Sequence, residues 1–221
     1  MQELDTMTTV PNQCLRNQRG INWRELWQAY RVFMPNPAQG ILHILEAGRY
    51  SRWQRVVIAR LSRQAVAIQD WVVVVDLAEL VKLPSDTLGG AYARHMIEQG
   101  FTPDTFINQE LDKDPFEHRL AIAHDVQHII TGFDSSPLGE FGLAAFMFVQ
   151  YWDLLNLFVL SWTPWFALGN WKSIPQLIAN LVRGFIGGWR SRALVAYAYE
   201  RNWHKSIFQV RQELRIANVR W

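Results

Sequence analysis

The middle of the chain holds two consecutive segments that begin with similar helix signals. The first, "DPFEHRLAIAHDVQHIITG" (residues 114–132), offers Asp114 as a cap, Pro115 at the first helical position and Gly132 as a stop. The second, "SSPLGEFGLAAFMFVQYWDLLNLFVLSW" (residues 135–162), again places a serine before a proline. The pattern predicts two long helices joined by a short turn, the second returning antiparallel to the first.

The rest of the chain is also helical in pattern, and no alternation of strands and helices is visible. The run "WVVVVDLAELV" (residues 71–81) is open between strand and helix, because its β-branched residues favour a strand and its Ala, Glu and Leu favour a helix. The prediction is an all-α fold, with a single helical domain over residues 1–221 and a bundle of about seven to nine helices. The other predicted helical regions are residues 22–33, 52–68, 85–100, 174–203 and 206–217.

The single cysteine, Cys14, excludes an internal disulfide and any zinc site built from several cysteines. The first 20 residues contain no apolar segment of the kind that a secretory signal needs, and early acidic residues argue against a transit peptide. The expected location is therefore cytoplasmic in a bacterial-type cell.

Charge is unevenly distributed along the chain. Residues 71–160 carry 4 basic and 13 acidic side chains, whereas residues 183–221 carry 8 basic and 2 acidic ones. A basic end, together with 11 tryptophans, suits docking to an anionic membrane surface. An ordinary solvated face is the alternative, and nucleic acid is not expected as a partner.

The apolar run at 141–162 is long enough to cross a bilayer, for which about 20 residues are needed. However, Gln150, Asp153 and Asn156 lie inside it and Pro164 follows it. Because polar and charged groups are costly in a bilayer, a core helix or one that lines an apolar cavity is the preferred interpretation.

Two histidines and an aspartate lie close together in "AHDVQH". On a helix that turns about 100° per residue, His124, Asp125 and His128 fall within an arc of about 100°. Histidines at i and i+4 can bind one ion, and Glu140 would join them from the next helix. This donor set suits a borderline divalent metal, zinc first, with iron, manganese or cobalt as alternatives. A polar cluster satisfied within the core is the other interpretation.

The stretch "HDVQHIITGF…GEFGLAAF" resembles the coenzyme Q (ubiquinone) biosynthesis protein family that is fourth in the numbered Coq series. The signature of that family is H-D-x-x-H, eleven residues and then Glu, and residues 129–139 supply the eleven. The upstream "TLGGAYARHM" (residues 87–96) also resembles the stretch that precedes the motif in this family. The resemblance covers a motif-bearing core at about residues 80–215.

The resemblance implies an α-helical protein required for quinone biosynthesis, with His124, Asp125, His128 and Glu140 as ligands of a divalent metal. It implies peripheral membrane association and an apolar cavity for an isoprenoid lipid or a prenylated quinone precursor. Members have been viewed as organisers of a complex with other quinone-biosynthesis proteins. They have also been assigned the oxidative removal of the ring C1 carboxylate from a prenylated hydroxybenzoate. Whether the chain forms a homodimer is left open.

A long prenyl tail would need an apolar tunnel, since each buried CH₂ is worth about 0.8 kcal/mol. Tyr92 and Arg94 are candidates for the contact with the head group, although Arg94 could instead pair with an acid between residues 98 and 140. His95 replaces an expected apolar residue and lies either near the site or on the surface. Ordinary core is the alternative for the predicted tail-lining residues, which are Leu143, Phe146, Leu154, Leu157, Phe158, Leu177, Leu181 and Phe185.

Three functions of different classes remain open from the sequence. The first is a metal-dependent decarboxylase or hydroxylase of prenylquinone biosynthesis, with Asp125 or Glu140 acting either as a ligand or as a base. The second is a non-catalytic isoprenoid-binding scaffold with a structural metal. An open coordination position favours the first and a closed four-ligand site favours the second. The third is an HD-type metal phosphohydrolase, which would need further His and Asp ligands from other helices.

Overall fold

The structure, a computed structural model, describes residues 20–68, 75–102 and 115–217. Within these ranges the chain forms eleven α-helices, three short 3₁₀ segments and no β-strand, which confirms the all-α prediction. The helices are α1 (Trp23–Val32), α2 (Pro37–Gly48), α3 (Arg52–Gln64), α4 (Leu77–Leu80), α5 (Leu88–Gln99), α6 (Pro115–Thr131), α7 (Pro137–Tyr151), α8 (Leu154–Ser161), α9 (Thr163–Gly169), α10 (Ile174–Arg190) and α11 (Ile207–Leu214).

Several helix boundaries follow the signals in the sequence. Pro115 is the first residue of α6, and Gly132 follows the helix with a left-handed φ of 73°. The Ser136 hydroxyl accepts a hydrogen bond from the Gly139 backbone N–H and so caps α7. Gly100 ends α5 with a φ of 68°. The predicted cap Asp114 lies outside the described residues.

The ambiguous run at 71–81 resolves as a helix in its second half. The Asp76 carboxylate caps α4 by accepting hydrogen bonds from the Ala78 and Glu79 backbone N–H groups. Residues 71–74, where the β-branched residues are concentrated, lie outside the described part of the chain.

The second long helix of the prediction is divided in two, and this part of the prediction is wrong. Trp152 adopts a left-handed φ of 53° and ends α7, while the Asp153 carboxylate caps α8 by accepting from the Asn156 backbone N–H. The polar residues that argued against a membrane span thus mark the break. No helix among the described residues has both the length and the apolar character needed to cross a membrane.

The predicted helical region at 174–203 is also shorter than expected. Helix α10 ends at Arg190, Ser191 is extended, and two 3₁₀ segments follow at Leu194–Ala196 and Tyr199–Arg201. These two breaks help to explain why the described residues form more helices than the seven to nine predicted.

Helix α10 packs along α7 in the most extensive helix pair of the described fold. The two backbones approach closely at Gly184, where an added Cβ would lie 2.3 Å from the Gly142 carbonyl oxygen and 2.9 Å from the Ala145 Cβ. The absence of a side chain at this crossing lets the two helices reach this separation. The packing matters for function because α7 carries Glu140.

Two apolar clusters make up the core. The larger joins α3, α5, α6, α7 and α11 through buried residues such as Tyr92, Ile130 and Phe146. The smaller joins α1, α2 and α8 and is centred on Ala29, Ile44, Ala47 and Phe158. The larger cluster holds α6 and α7, the two helices that carry the predicted metal ligands.

Gly184→Ala should destabilise the fold, because the new methyl group would collide with the α7 backbone, which cannot move away cheaply. We expect a loss of about 1–3 kcal/mol in the free energy of unfolding, measured by urea denaturation. The matched control is Gly169→Ala, which has nothing within 4 Å of its Cβ position and should change stability by less than about 0.5 kcal/mol. Equal effects of the two substitutions would contradict the close-packing interpretation.

Candidate metal centre

Three potential metal ligands converge where α6 meets the first turn of α7. His128 Nε2 lies 3.3 Å from His124 Nε2 and 3.2 Å from Glu140 Oε1, and His124 Nε2 lies 3.8 Å from Glu140 Oε2. Each of the three residues offers a ligand atom within 4.8 Å of the others. They form the only such cluster of His, Cys, Asp or Glu found in the described ranges. The i, i+4 spacing on α6 brings the two imidazoles together as predicted.

His128 is held so that one ring nitrogen points at this cluster. Its Nδ1 lies 2.9 Å from the Phe133 carbonyl oxygen, so Nδ1–H donates to that carbonyl and Nε2 is the atom turned toward His124 and Glu140. Histidines that bind metals commonly donate their other ring N–H in this way, which fixes the ring orientation. The side chain is buried, whereas His124 is half-exposed.

The spacing of the three ligands suits a small divalent ion. Two ligand atoms bound at about 2.0–2.1 Å in a tetrahedral arrangement lie about 3.3–3.4 Å apart. The distances from His128 Nε2 to its two neighbours are close to this value, and the third edge, at 3.8 Å, needs only a small side-chain shift. Two imidazoles and one carboxylate also match the donor preference of zinc and of other borderline metals.

The electrostatics of the cluster tie Glu140 to His128. Burial opposes charge on the Glu140 carboxyl, but its hydrogen bond with His128 and the nearby His124 lower its pKa below the usual value. Burial likewise works to lower the pKa of His128, but the hydrogen bond and attraction to Glu140 outweigh it and raise that pKa. The proton on His128 Nε2 is the one that a metal ion would replace.

Asp125, the fourth predicted ligand, is placed differently. Its side chain is buried, with 7% of the residue exposed, and its carboxylate is not a member of the three-ligand cluster. Its negative charge acts on His95 and His128, so it lies close enough to influence the site. A ligand role for Asp125 stays a prediction.

His95 lies beside the site rather than on a remote surface. Its ring stacks near that of His128, with ring centroids 6.2 Å apart and an interplanar angle of 26°. Its Nε2 is buried and has no hydrogen-bond partner among the described residues. The only signal for this placement in the sequence is that a histidine stands where an apolar residue is expected.

Arg94 and Tyr92, the predicted head-group contacts, make contacts within the fold. The Arg94 guanidinium donates to the backbone carbonyls of Val81, Leu83 and Gly90, which fastens the segment before α5 to the helix. Tyr92 is fully buried and stacks on Trp203, with ring centroids 5.4 Å apart. Among the described residues, Arg94 has no acidic partner, so the alternative of an ion pair is not found there. A contact between Arg94 or Tyr92 and a head group stays a prediction.

A cavity of about 360 Å³ lies next to His128. His95, Phe133, Ile207 and Arg211 are among its lining residues. Arg211 was missed by the sequence reasoning, because it lies in the basic C-terminal region and has no motif around it.

The eight predicted tail-lining residues are spread over several places. Leu143 and Phe146 belong to the larger core cluster, whereas Phe158, with Leu154 packed against it, belongs to the smaller one. Leu157 and Phe185 are exposed, Leu177 is buried, and Leu181 is partly buried. None of the eight lines the cavity beside His128, and their contact with a lipid tail stays a prediction.

The fold and the cluster define an all-α protein with a His-His-Glu group where two helices meet. The chain matches the family described as coenzyme Q (ubiquinone) biosynthesis protein Coq4 over residues 63–220, and it belongs to that family. This confirms the resemblance carried by the H-D-x-x-H motif.

Curated relatives carry the same family description. A ubiquinone biosynthesis protein COQ4 homolog, mitochondrial, from Danio rerio is 31% identical over 154 residues, which cover 64% of this chain and 53% of the relative. The homolog from Homo sapiens is 28% identical over 148 residues, covering 64% of this chain and 55% of the relative. The chain therefore spans about half the length of the curated relatives that it matches.

The fold is also similar to a solved structure. A protein from Nostoc punctiforme PCC 73102, provisionally assigned to ubiquinone biosynthesis, superposes with a TM-score of 0.71. The match covers 88% of this chain and 98% of that chain at 23% sequence identity. At this level of identity the likeness shows the fold.

Arg94→Met should destabilise the fold and leave the metal content unchanged, because it removes the guanidinium that donates to three backbone carbonyls. We expect a loss of about 1–3 kcal/mol in the free energy of unfolding by urea denaturation. Arg63→Met is the control, since Arg63 is exposed and donates to a single carbonyl of its own helix. If the Arg94→Met and Arg63→Met proteins had the same free energy of unfolding, the hydrogen bonds from Arg94 to the three carbonyls would not stabilise the fold.

Proposed function

We propose that the chain binds one divalent metal ion through His124, His128 and Glu140 and acts on a prenylated aromatic precursor in ubiquinone biosynthesis. The observation that carries the proposal is the convergence of three ligand atoms within 4.8 Å, with His128 oriented by the Phe133 carbonyl. Zinc is the first candidate, and iron, manganese or cobalt are the alternatives.

The number of ligands favours an enzyme over a scaffold. Three protein ligands leave a coordination position open for a substrate oxygen, as in catalytic sites, whereas a structural site is closed by four. Asp125 would be the fourth ligand in the scaffold alternative, and its carboxylate lies outside the cluster. The HD-type phosphohydrolase alternative lacks support, since the described residues contain no second group of His and Asp ligands.

The reaction that we propose is oxidative removal of the ring carboxylate from a prenylated hydroxybenzoate. The carboxylate would leave as CO₂, a hydroxyl group would take its place on the ring, and an external two-electron oxidant such as dioxygen would accept the electrons. A bound divalent ion would supply Lewis-acid stabilisation of negative charge on the substrate, or redox chemistry if it is iron, manganese or cobalt. Glu140 would neutralise part of the charge of the ion, and the Phe133 carbonyl would keep His128 in the binding orientation. His95 and the adjoining cavity are close enough to His128 to contact the aromatic head group.

The purified wild-type chain should contain or take up about one divalent ion, measured by elemental mass spectrometry. His128→Ala and Glu140→Gln should each lose most of it, because each removes a ligand from a site of only three. His204→Ala is the control, since His204 is an exposed histidine outside the cluster. Circular dichroism of every variant separates loss of ligand from loss of fold. A wild type that stays free of metal after reconstitution would refute the proposal.

We also propose that α9 and α10 dock on an anionic membrane surface. Residues 154–199 contain four basic side chains and no acidic one. Exposed apolar residues recur every three or four positions along α10 and form one stripe, which is typical of helices that lie in a membrane interface. The exposed apolar residues of this surface are Trp165, Leu168, Trp171, Ile178, Val182, Phe185, Ile186 and Trp189.

The double variant Trp171→Ser/Trp189→Ser should reduce co-sedimentation with vesicles of phosphatidylcholine and phosphatidylserine by about half or more, because both rings are anchors at the interface. The matched control is Trp23→Ser/Trp27→Ser, which removes two similarly exposed tryptophans from α1. If wild type and both double variants sediment to the same extent, the surface on α9 and α10 is not the docking face.

A further inference from the structure

Arg211 is a buried cation that has no carboxylate partner in the described ranges. It is 5% exposed, and it donates from Nε to the Ile130 carbonyl at 2.8 Å and from a terminal nitrogen to the Ile129 carbonyl at 3.2 Å. These carbonyls lie in the last turn of α6 and carry only partial negative charge. The guanidinium is therefore only partly compensated, and it lines the cavity beside His128.

His95 lines the same cavity and carries a polar atom without a partner in the described residues. Its Nε2 is buried without a hydrogen-bond partner in the described part of the chain, although its ring is held against that of His128. Buried polar atoms nearly always have a partner, so an unpartnered one on a residue that lines a cavity points to a ligand. Arg211 and His95 come from α11 and α5, two helices far apart in sequence.

The remaining lining residues suit an aromatic ring. Ile129, Phe133 and Ile207 give the cavity an apolar wall, and a space of about 360 Å³ holds a compact ring with its substituents. Asp134 also lines the cavity, but its Oδ1 accepts hydrogen bonds from the Ser136 backbone N–H and hydroxyl. The positive charge of Arg183 acts on Asp134, so this carboxylate is balanced locally.

We propose that Arg211 and His95 form the anion-binding wall of this cavity and hold the carboxylate or phosphate of an aromatic ligand while its ring packs on Phe133 and Ile207. The inference rests on the proposed function in one respect, since it places the charged head group beside the metal ligand His128. Arg211 and His95 both lie outside the metal cluster. Arg211 takes the role of head-group contact that was predicted for Arg94, because the Arg94 guanidinium donates to three backbone carbonyls.

The test is isothermal titration calorimetry of the full chain with benzoate, phenyl phosphate and the neutral benzyl alcohol. Both anions should bind saturably at one site, and benzyl alcohol should bind at least about tenfold more weakly, because it lacks the charge-assisted hydrogen bonds. Phosphate and carboxylate head groups are distinguished by which of the two anions binds more tightly. Metal content is measured on the same samples.

His95→Phe keeps a ring against His128 and removes the hydrogen-bonding nitrogen, so benzoate affinity should fall by about tenfold. Arg211→Lys keeps the charge and loses the planar fork, so affinity should also fall, with the fold checked by circular dichroism. His204→Phe is the matched control, because His204 is exposed and does not line the cavity, and it should bind benzoate as the wild type does.

Equal affinity for benzoate and benzyl alcohol would overturn the inference, as would unchanged anion affinity in both variants. Absence of saturable anion binding by the folded wild type at millimolar concentration would overturn it too. The two proposals fail separately. If the chain binds benzoate but takes up no metal, the anion site is supported and the metal proposal is refuted. If the chain binds metal but not benzoate, the metal proposal is supported and the anion site is refuted.

Discussion

The hydrogen bond between His128 Nδ1 and the Phe133 carbonyl is the constraint on which the site depends. It decides which ring nitrogen faces His124 and Glu140, and so it decides whether three ligand atoms can share one ion. The carbonyl is in place because Gly132 leaves α6 in the left-handed conformation, which turns the chain back toward the helix that it has just left. A longer helix would have carried this carbonyl away.

The turn at Gly132 and Phe133 is held in place by α10. Arg183 donates to the Gly132 carbonyl at 3.0 Å, and its guanidinium lies 3.9 Å from the centre of the Phe133 ring. That ring occupies the space that a side chain at Gly142 would need, since a Cβ there would lie 2.3 Å from it. The close packing of α10 on α7 is thus connected, through one turn, to the orientation of His128, a proposed metal ligand more than 50 residues earlier in the chain.

Local signals predicted the parts of the site that depend on local structure. The i, i+4 spacing of His124 and His128 follows from helix geometry, and the Ser-Pro start of the next helix places Glu140 in its first turn. The break at Trp152 was missed because an aromatic residue rarely takes a left-handed conformation and the flanking apolar pattern continues through it. Arg211 was missed because its role depends on contacts between α11 and α6, which no local pattern encodes.

Helix α10 connects the two proposed surfaces of the molecule. Its buried face carries Gly184 against α7, and Arg183 holds the turn beside the proposed metal ligands, while its exposed stripe faces outward with Val182 and Trp189. A precursor with a polar ring and a long prenyl tail is concentrated in a membrane, so a chain that acts on it needs its site close to the docking face. Because α10 carries both the exposed stripe and Arg183, which donates to the Gly132 carbonyl, membrane contact along α10 would affect the same turn that orients His128. The metal cluster and the anion-binding cavity would then be positioned from the membrane side by a single packed element.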